Sequence, residues 1–199
     1  MEQNEKFALL LGMLSGDGCL PISHSGEGYR DYHISFCNTD KRLVESFQKL
    51  LFELFNLESK LLVNQRVKRK DLYYISKRSK EVYFKIRGIG FPEGVKRDVL
   101  RVPKIIKSGS KEGKSAFIYG FLITDGCLRK NKTILFHSGS KVFLEEISKL
   151  IGEFTKIIKP VREYVQREKY KSYQLNLNKK ETEVLLEHCR RGTMVLHLP

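Results

Sequence analysis

At 199 residues the chain has room for one large domain or two of about 100 residues each. A surplus of 37 Lys plus Arg over 23 Asp plus Glu, +14 in net charge, repels itself within a compact body and points to a polyanionic partner, with nucleic acid ahead of a membrane surface or an acidic protein. Four cysteines (Cys19, Cys37, Cys127 and Cys189) without a CxxC pair or a secreted disulfide pattern, and an apolar run of only Phe7 to Leu11 near the N-terminus, argue against an exported or membrane-spanning chain and for reduced thiols inside a cell.

The first predicted element is a helix carrying FALLLGMLSGDGCL over residues 7–20. A polar hairpin follows, with a strand over Tyr29–Asn38. Leu43, Val44, Phe47, Leu50, Leu51, Leu54 and Phe55 recur at helical spacing and predict an amphipathic helix over Lys41–Phe55. A second hairpin pairs Ser59–Val67 with Asp71–Ser76, and a short helix spans Lys80–Ile86. The stretch 102–114, rich in Gly, Ser and Lys, reads as an exposed linker. Residues 115–128, SAFIYGFLITDGCL, then repeat the opening helix. After them come a strand over Thr133–Ser138, a helix over Lys141–Phe154, a hairpin of Ile157–Val165 with Tyr170–Leu177, and a helix over Glu181–Cys189. The expected fold is therefore α+β: two pseudo-symmetric αββαββα half-domains, residues 1–101 and 115–199, joined by 102–114. Duplication and fusion account for motif and element order recurring together, and a single chain then imitates a two-fold dimer. A monomer is expected.

The repeated motif has chemical consequences. Gly12, Ser15 and Gly16 share one face of the first helix, and Gly120 and Thr124 share the matching face of the second. Small residues on facing stripes let two helix backbones approach, which brings Asp17 and Asp125 together at adjacent helix C-termini. Two carboxylates there repel each other by roughly 3 kcal/mol at ~5 Å and an effective dielectric of ~20, and repel the helix dipoles as well. A divalent cation removes that repulsion. Oxygen ligands without His or Cys favour Mg²⁺, with Mn²⁺ or Ca²⁺ able to take the same place. A single Asp-Gly after a helix is usually only a turn; two copies, each behind a small-residue stripe, are not well explained that way. On a basic protein, carboxylate-held metals suggest phosphodiester hydrolysis.

Leu10–Gly18 and Ile118–Gly126 align without gaps with the nine-residue signature of the LAGLIDADG homing endonucleases, and the repeated element order extends the resemblance over nearly the whole chain. The resemblance implies that the signature helices form the interface between half-domains and that two antiparallel sheets form a saddle over the DNA major groove. It implies that Asp17 and Asp125 bind the catalytic metals, with the backbone carbonyls of Gly16 and Thr124 as further ligands. It also implies cleavage of both strands across the minor groove with 3′ overhangs. By position, Asn38 and Ser138 are the polar residues near the metals, and Arg42 and Lys104 are candidate basic residues near the scissile phosphates. Ser15 and Ile123 stand where the signature has its first, non-catalytic acid. The first hairpin of the second half is the shorter one, so the target should be asymmetric.

Alternation within the strands nominates DNA-reading residues: Gln174, Asn176 and Asn178 in the second half, Arg30, His33 and Ser35 in the first, and Asn64 and Arg66 in its second hairpin. The loops 23–28, 68–70 and 166–171 are placed on phosphates; about eight such contacts would give a salt slope of about −7. His33 and His137 are candidates for DNA contact and no histidine is given a catalytic role. Tyr73, Tyr74, Tyr83 and Phe84 are assigned to the core. Two alternatives stay open: an intron maturase that binds intron RNA, and a DNA-binding protein without nuclease activity. An intein-embedded nuclease is set behind a free-standing, intron-encoded protein because the chain opens with Met1.

Overall fold

The computed structural model describes residues 1–25, 28–166 and 170–192. Helix α1 (Gln3–Asp17) and helix α5 (Lys111–Asp125) lie against each other at the centre. Residues 8–16 of α1 and 115–122 of α5 are all buried, so both helices are enclosed on every side, which fits their lack of a polar face.

Strands β1 (Gly18–Cys19), β2 (Ile22–Ser25), β3 (Tyr29–Asn38), β4 (Leu62–Asn64) and β5 (Leu72–Arg78) form the first sheet, in the order β1-β3-β5-β4 with β2 also on β3. β1 and β2 are one strand interrupted at Leu20–Pro21: Gly18 faces Phe36 and Ile22 faces Tyr32 in one register, and the Pro21 carbonyl accepts the His33 N–H at 3.0 Å. β6 (Gly126–Leu128), β7 (Ile134–Ser138), β8 (Arg162–Gln166) and β9 (Tyr170–Leu177) form the second sheet, ordered β6-β7-β9-β8. Both sheets are wholly antiparallel.

Behind the first sheet lie α2 (Lys41–Phe55) and α3 (Lys80–Gly88), and behind the second lie α6 (Lys141–Thr155) and α7 (Lys179–Gly192). α2 and α6 begin and end alike. Asp40 and Ser140 cap their N-termini with side-chain oxygens, and Asn56 and Lys156 close them in the left-handed region at φ 49° and 63°. Each sheet turns its apolar residues toward these helices: Ile34, Phe36 and Ile75 in one, Ile134, Phe136, Leu175 and Leu177 in the other. Phe36 and Phe136 occupy corresponding places on β3 and β7 but stack on different helices, Phe36 on Phe47 of α2 and Phe136 on Phe121 of α5.

The segment 102–114 is exposed over most of its length, as its composition predicts, but it is not a free tether. Val102 and Ile106 are buried, helix α4 occupies Lys104–Lys107, and α5 starts at Lys111. Polar groups fasten the segment to the second half. Glu146 accepts from the Val102 N–H at 2.7 Å and from Lys107, and the Ser140 hydroxyl donates to the Leu100 carbonyl at 2.9 Å. The crossover is thus part of the packing between halves. No helix among the described residues is long and apolar enough to cross a membrane.

Candidate active site

Glycines set the approach of α1 and α5. A Cβ built on Gly12 would lie 2.1 Å from the Phe117 carbonyl oxygen, and one on Gly120 would lie 2.4 Å from that of Leu9. A Cβ on Gly16 would meet the Thr124 hydroxyl at 2.0 Å and the Asp125 amide nitrogen at 3.4 Å, so the helix ends are also in contact. Ser15 is buried and donates to the Leu11 carbonyl at 2.8 Å; Thr124 likewise turns its hydroxyl to the Gly120 and Phe121 carbonyls at 3.0 Å. Gly12, Gly16, Gly120 and Thr124 thus lie in direct contact between the two helices, while Ser15 contributes small size and a satisfied hydroxyl.

This packing brings Asp17 and Asp125 within electrostatic reach. Burial raises the Asp125 carboxyl, the neighbouring Asp17 charge raises it further, and Lys96 offsets part of the shift, leaving it at about 6. Burial also raises Asp17, against the lowering effects of Asn38 and Lys96. Asn38 donates from Nδ2 to Asp17 Oδ2 at 2.6 Å, while its Oδ1 accepts the Asp40 N–H at 2.7 Å, so the amide orientation is defined from both ends. Ser138 keeps only the second of these roles: its Oγ accepts the Ser140 N–H at 3.1 Å, and among the described residues no hydrogen bond joins it to Asp125.

Lys96 is the residue that sequence reasoning missed. Its ammonium donates to the carbonyls of Leu14 at 2.8 Å, Gly18 at 2.7 Å and Gly16. Burial lowers its pKa, and the charges of Asp125, Asp17, Cys19 and Cys37 act in the opposite direction. One lysine among 37 basic residues, roughly eighty positions from its partners, leaves no local sequence signal.

The aspartate pair fits divalent metal. Two carboxylates that oppose each other's ionisation accept a cation readily, and an ammonium already stands beside both and on the Gly16 carbonyl, an expected ligand. Among the described residues no three His, Cys, Asp or Glu side chains form a metal cluster. Further ligands would therefore be carbonyls, water and phosphate, as suits hard cations.

A model of the LAGLIDADG-like domain matches residues 4–88 and 112–190, one match to each half. The chain belongs to this family. Two longer curated proteins share the LAGLIDADG chain's sequence: an A-type ATP synthase subunit of Pyrococcus abyssi is 31% identical over 129 residues, covering 65% of this chain and 11% of its own. The probable translation initiation factor IF-2 of Methanocaldococcus jannaschii is 28% identical over 173 residues, covering 83% and 13%. The chain thus spans little more than a tenth of these relatives. Among solved structures, I-DmoI with DNA and Mn superposes with a TM-score of 0.71 at 18% identity, covering 97% of this chain and 100% of that one. I-WcaI bound to its DNA recognition sequence gives 0.63 at 11%, covering 98% and 84%. Full-length DUF199/WhiA from Thermatoga maritima gives 0.61 at 14%, covering 94% and 56%. These likenesses show the LAGLIDADG fold.

The strand registers sort the other expected site residues. In β3, Tyr32, Ile34 and Phe36 turn to the helices, so Asp31, His33, Ser35 and Cys37 share the open face. Arg30 has the parity of the helix-facing set and is no partner of His33 and Ser35; the expectation is one residue out of phase. Asp31 holds the open-face position instead and pairs with Arg78 at 2.9 Å. His33 contacts the hydroxyls of Ser23 at 3.2 Å and Ser76 at 3.4 Å, and Ser35 donates to Ser76 at 2.8 Å. Asn64 lies opposite Leu72 and, with Tyr74, Cys19 and Cys37, lines a cavity beside Asp17, so Tyr74 is not the core residue expected. Arg66 lies beyond β4, and its Nε donates to the Lys70 carbonyl at 3.2 Å.

In the second half Gln174 and Asn176 share an open face with His137 and Arg162. Asn178 lines one cavity with Gln174, Asn176 and Arg162 and is also engaged locally: its Oδ1 accepts the Glu181 N–H at 3.0 Å and Glu181 accepts the Asn178 N–H at 2.8 Å, a reciprocal cap on α7. Arg42 is ion-paired to Asp40 at 2.7 Å, and Lys104 lies exposed on α4; among the described residues neither makes a hydrogen bond or ion pair with Asp17 or Asp125. Residues 26–27 and 167–169 of the expected phosphate loops lie outside the described residues.

Proposed function

We propose that the chain is a divalent-metal-dependent, site-specific endonuclease that cuts both strands of a long, asymmetric DNA target and leaves 3′ overhangs. The observation that carries this reading is the pairing of Asp17 and Asp125 at two helix ends held in backbone contact, with Asp17 bordering the polar open face of the first sheet. Asp17, Asp125 and the carbonyls of Gly16 and Thr124 would hold the metal, Mg²⁺ being the expected ion. When bound, it supplies water activation and stabilisation of the leaving oxygen. Asn38 fixes the Asp17 carboxylate, and the packed helices fix the spacing of the two carboxylates.

The +14 charge supports a DNA partner. Gln174, Asn176, His33 and Ser35 supply donors and acceptors at alternate strand positions, the spacing that groove readout requires. Asymmetry of the target is supported by β2, an extension of the first-half hairpin that β6 and β7 lack. A homing role is supported by the curated relatives: two proteins of unrelated name share the segment over a small part of their lengths, as expected of a mobile element.

The test is cleavage of a randomised plasmid library with Mg²⁺, using wild type and D17N/D125N, with the cut ends sequenced. One long asymmetric recurrent site, lost in the double variant, supports the proposal. Absence of wild-type cutting beside salt-sensitive binding to a structured intron RNA would replace it with the maturase reading.

A further inference from the structure

The end of α1 is closed in an unusual way. Gly18 is extended at φ −98° and ψ 166°, so the left-handed turn that ordinarily satisfies the last helical carbonyls is absent. The Lys96 ammonium takes that place, and its three N–H donors are all used, on Leu14, Gly16 and Gly18. This is also the point where the negative end of α1 and the charges of Asp17 and Asp125 converge. The carbonyls of Leu122, Thr124 and Gly126 at the end of α5 receive no lysine among the described residues, so the arrangement belongs to one half only.

We propose that Lys96 is the resident cation of the first-half metal position, and that its ammonium and a divalent ion compete for the Gly16 carbonyl and for the field of the two aspartates. The inference rests on the metal-dependent reading above. The backbone around Lys96 is anchored on both sides: the Gly94 N–H donates to the Leu20 carbonyl at 3.0 Å, and Arg97 donates to the Lys171 carbonyl at 2.6 Å. Exchange of one cation for the other is therefore a side-chain rotation. In protein without DNA, the lysine holds divalent affinity low.

The experiment is titration of the DNA-free full chain with Mn²⁺, followed by electron paramagnetic resonance and calorimetry. Wild type is compared with K96M, with K96Q, whose amide can still donate to the helix carbonyls without charge, and with D17N/D125N/K96M. Thermal melting shows which variants are folded. Mn²⁺ is expected to bind the folded Lys96 variants at least ten-fold more tightly than wild type, with the gain lost in the triple variant. Unchanged or weaker affinity in a folded K96M or K96Q, or a gain that survives in the triple variant, overturns the proposal. Library cleavage by wild type stands apart from these results, so failure of the lysine competition and failure of the nuclease reading are separately visible.

Discussion

Gly12 of α1 lies so close to Phe117 of α5 that a single added Cβ would stand 2.1 Å from the Phe117 carbonyl oxygen. Gly120 is matched in the same way against Leu9 at 2.4 Å. A clash with backbone cannot be relieved by rotating a side chain, so the helices themselves must separate. G12A and G120A should each cost about 3 kcal/mol or more, which is roughly 6–12 °C in Tm for a domain of this size. Gly113 is the control. Its added Cβ would meet only the Ser110 hydroxyl at 3.4 Å, so G113A should match or exceed wild-type stability through helix propensity. Calorimetric melting of the three variants decides the matter, and a wild-type Tm for G12A would disprove backbone contact.

The separation of the aspartates depends on that contact, and the orientation of one of them depends on Asn38. N38A removes the donor to Asp17 Oδ2 and the acceptor for the Asp40 N–H together. Loss of an orienting partner of a metal ligand typically costs 10–100-fold, so cleavage should slow by about that factor at saturating Mg²⁺. S138A removes only a cap on the Ser140 N–H. It should lower stability by about 1 kcal/mol and leave the cleavage rate within about three-fold. Equal rate losses in the two variants would show that Asn38 does nothing beyond capping.

Much of this arrangement is legible before any coordinates. The duplicated Gly-x-x-x-small stripe followed by Asp-Gly places both carboxylates, and α2 and β9 begin and end at the residues their periodicity indicates. Two features resist for physical reasons. Lys96 reaches α1 across some eighty residues, and a long-range contact of one charged side chain leaves no period. The 102–114 segment has the composition of a tether, yet its apolar residues Val102 and Ile106 are buried. Arg30 is a different case: it shares the even parity of Tyr32, Ile34 and Phe36, which already read as packing residues in the sequence, so its grouping with His33 and Ser35 conflicts with strand alternation itself. Asn178 differs from these, since its role is written locally: Asn followed three residues later by Glu is itself a helix-start signal.

Asp125 makes the site sensitive to pH. Its carboxyl stands at about 6 against an ordinary 3.8, chiefly through burial and then through Asp17. The native state therefore keeps a proton that the unfolded chain releases between pH 4 and 6. Stability from this group is complete below pH 4 and is lost as pH rises through 6. About two pKa units correspond to roughly 3 kcal/mol. Without metal, D125N should become more stable than wild type on going from pH 4 to pH 7, while its cleavage activity is abolished. Denaturant unfolding across that range, wild type minus variant, measures the effect; a flat difference would show that Asp125 ionises normally.

Base reading offers the sharpest separation between residues close together in the chain. Gln174 sits on the open face of β9 between His137 and Arg162, whereas Asn178, just past the end of that strand, is bound into the α7 cap. Q174A should relax preference at one base position of the recovered target by about 1–3 kcal/mol and leave the melting temperature unchanged. N178A should do the reverse, costing about 1 kcal/mol of stability with the target preference intact. R30A, on the helix-facing parity of β3, should weaken binding to all sequences alike or not at all. Profiling the three variants against a library of single-base target changes separates these outcomes. A position-specific loss in R30A would require β3 to present its other face to the DNA, and with it a different docking of the whole first sheet.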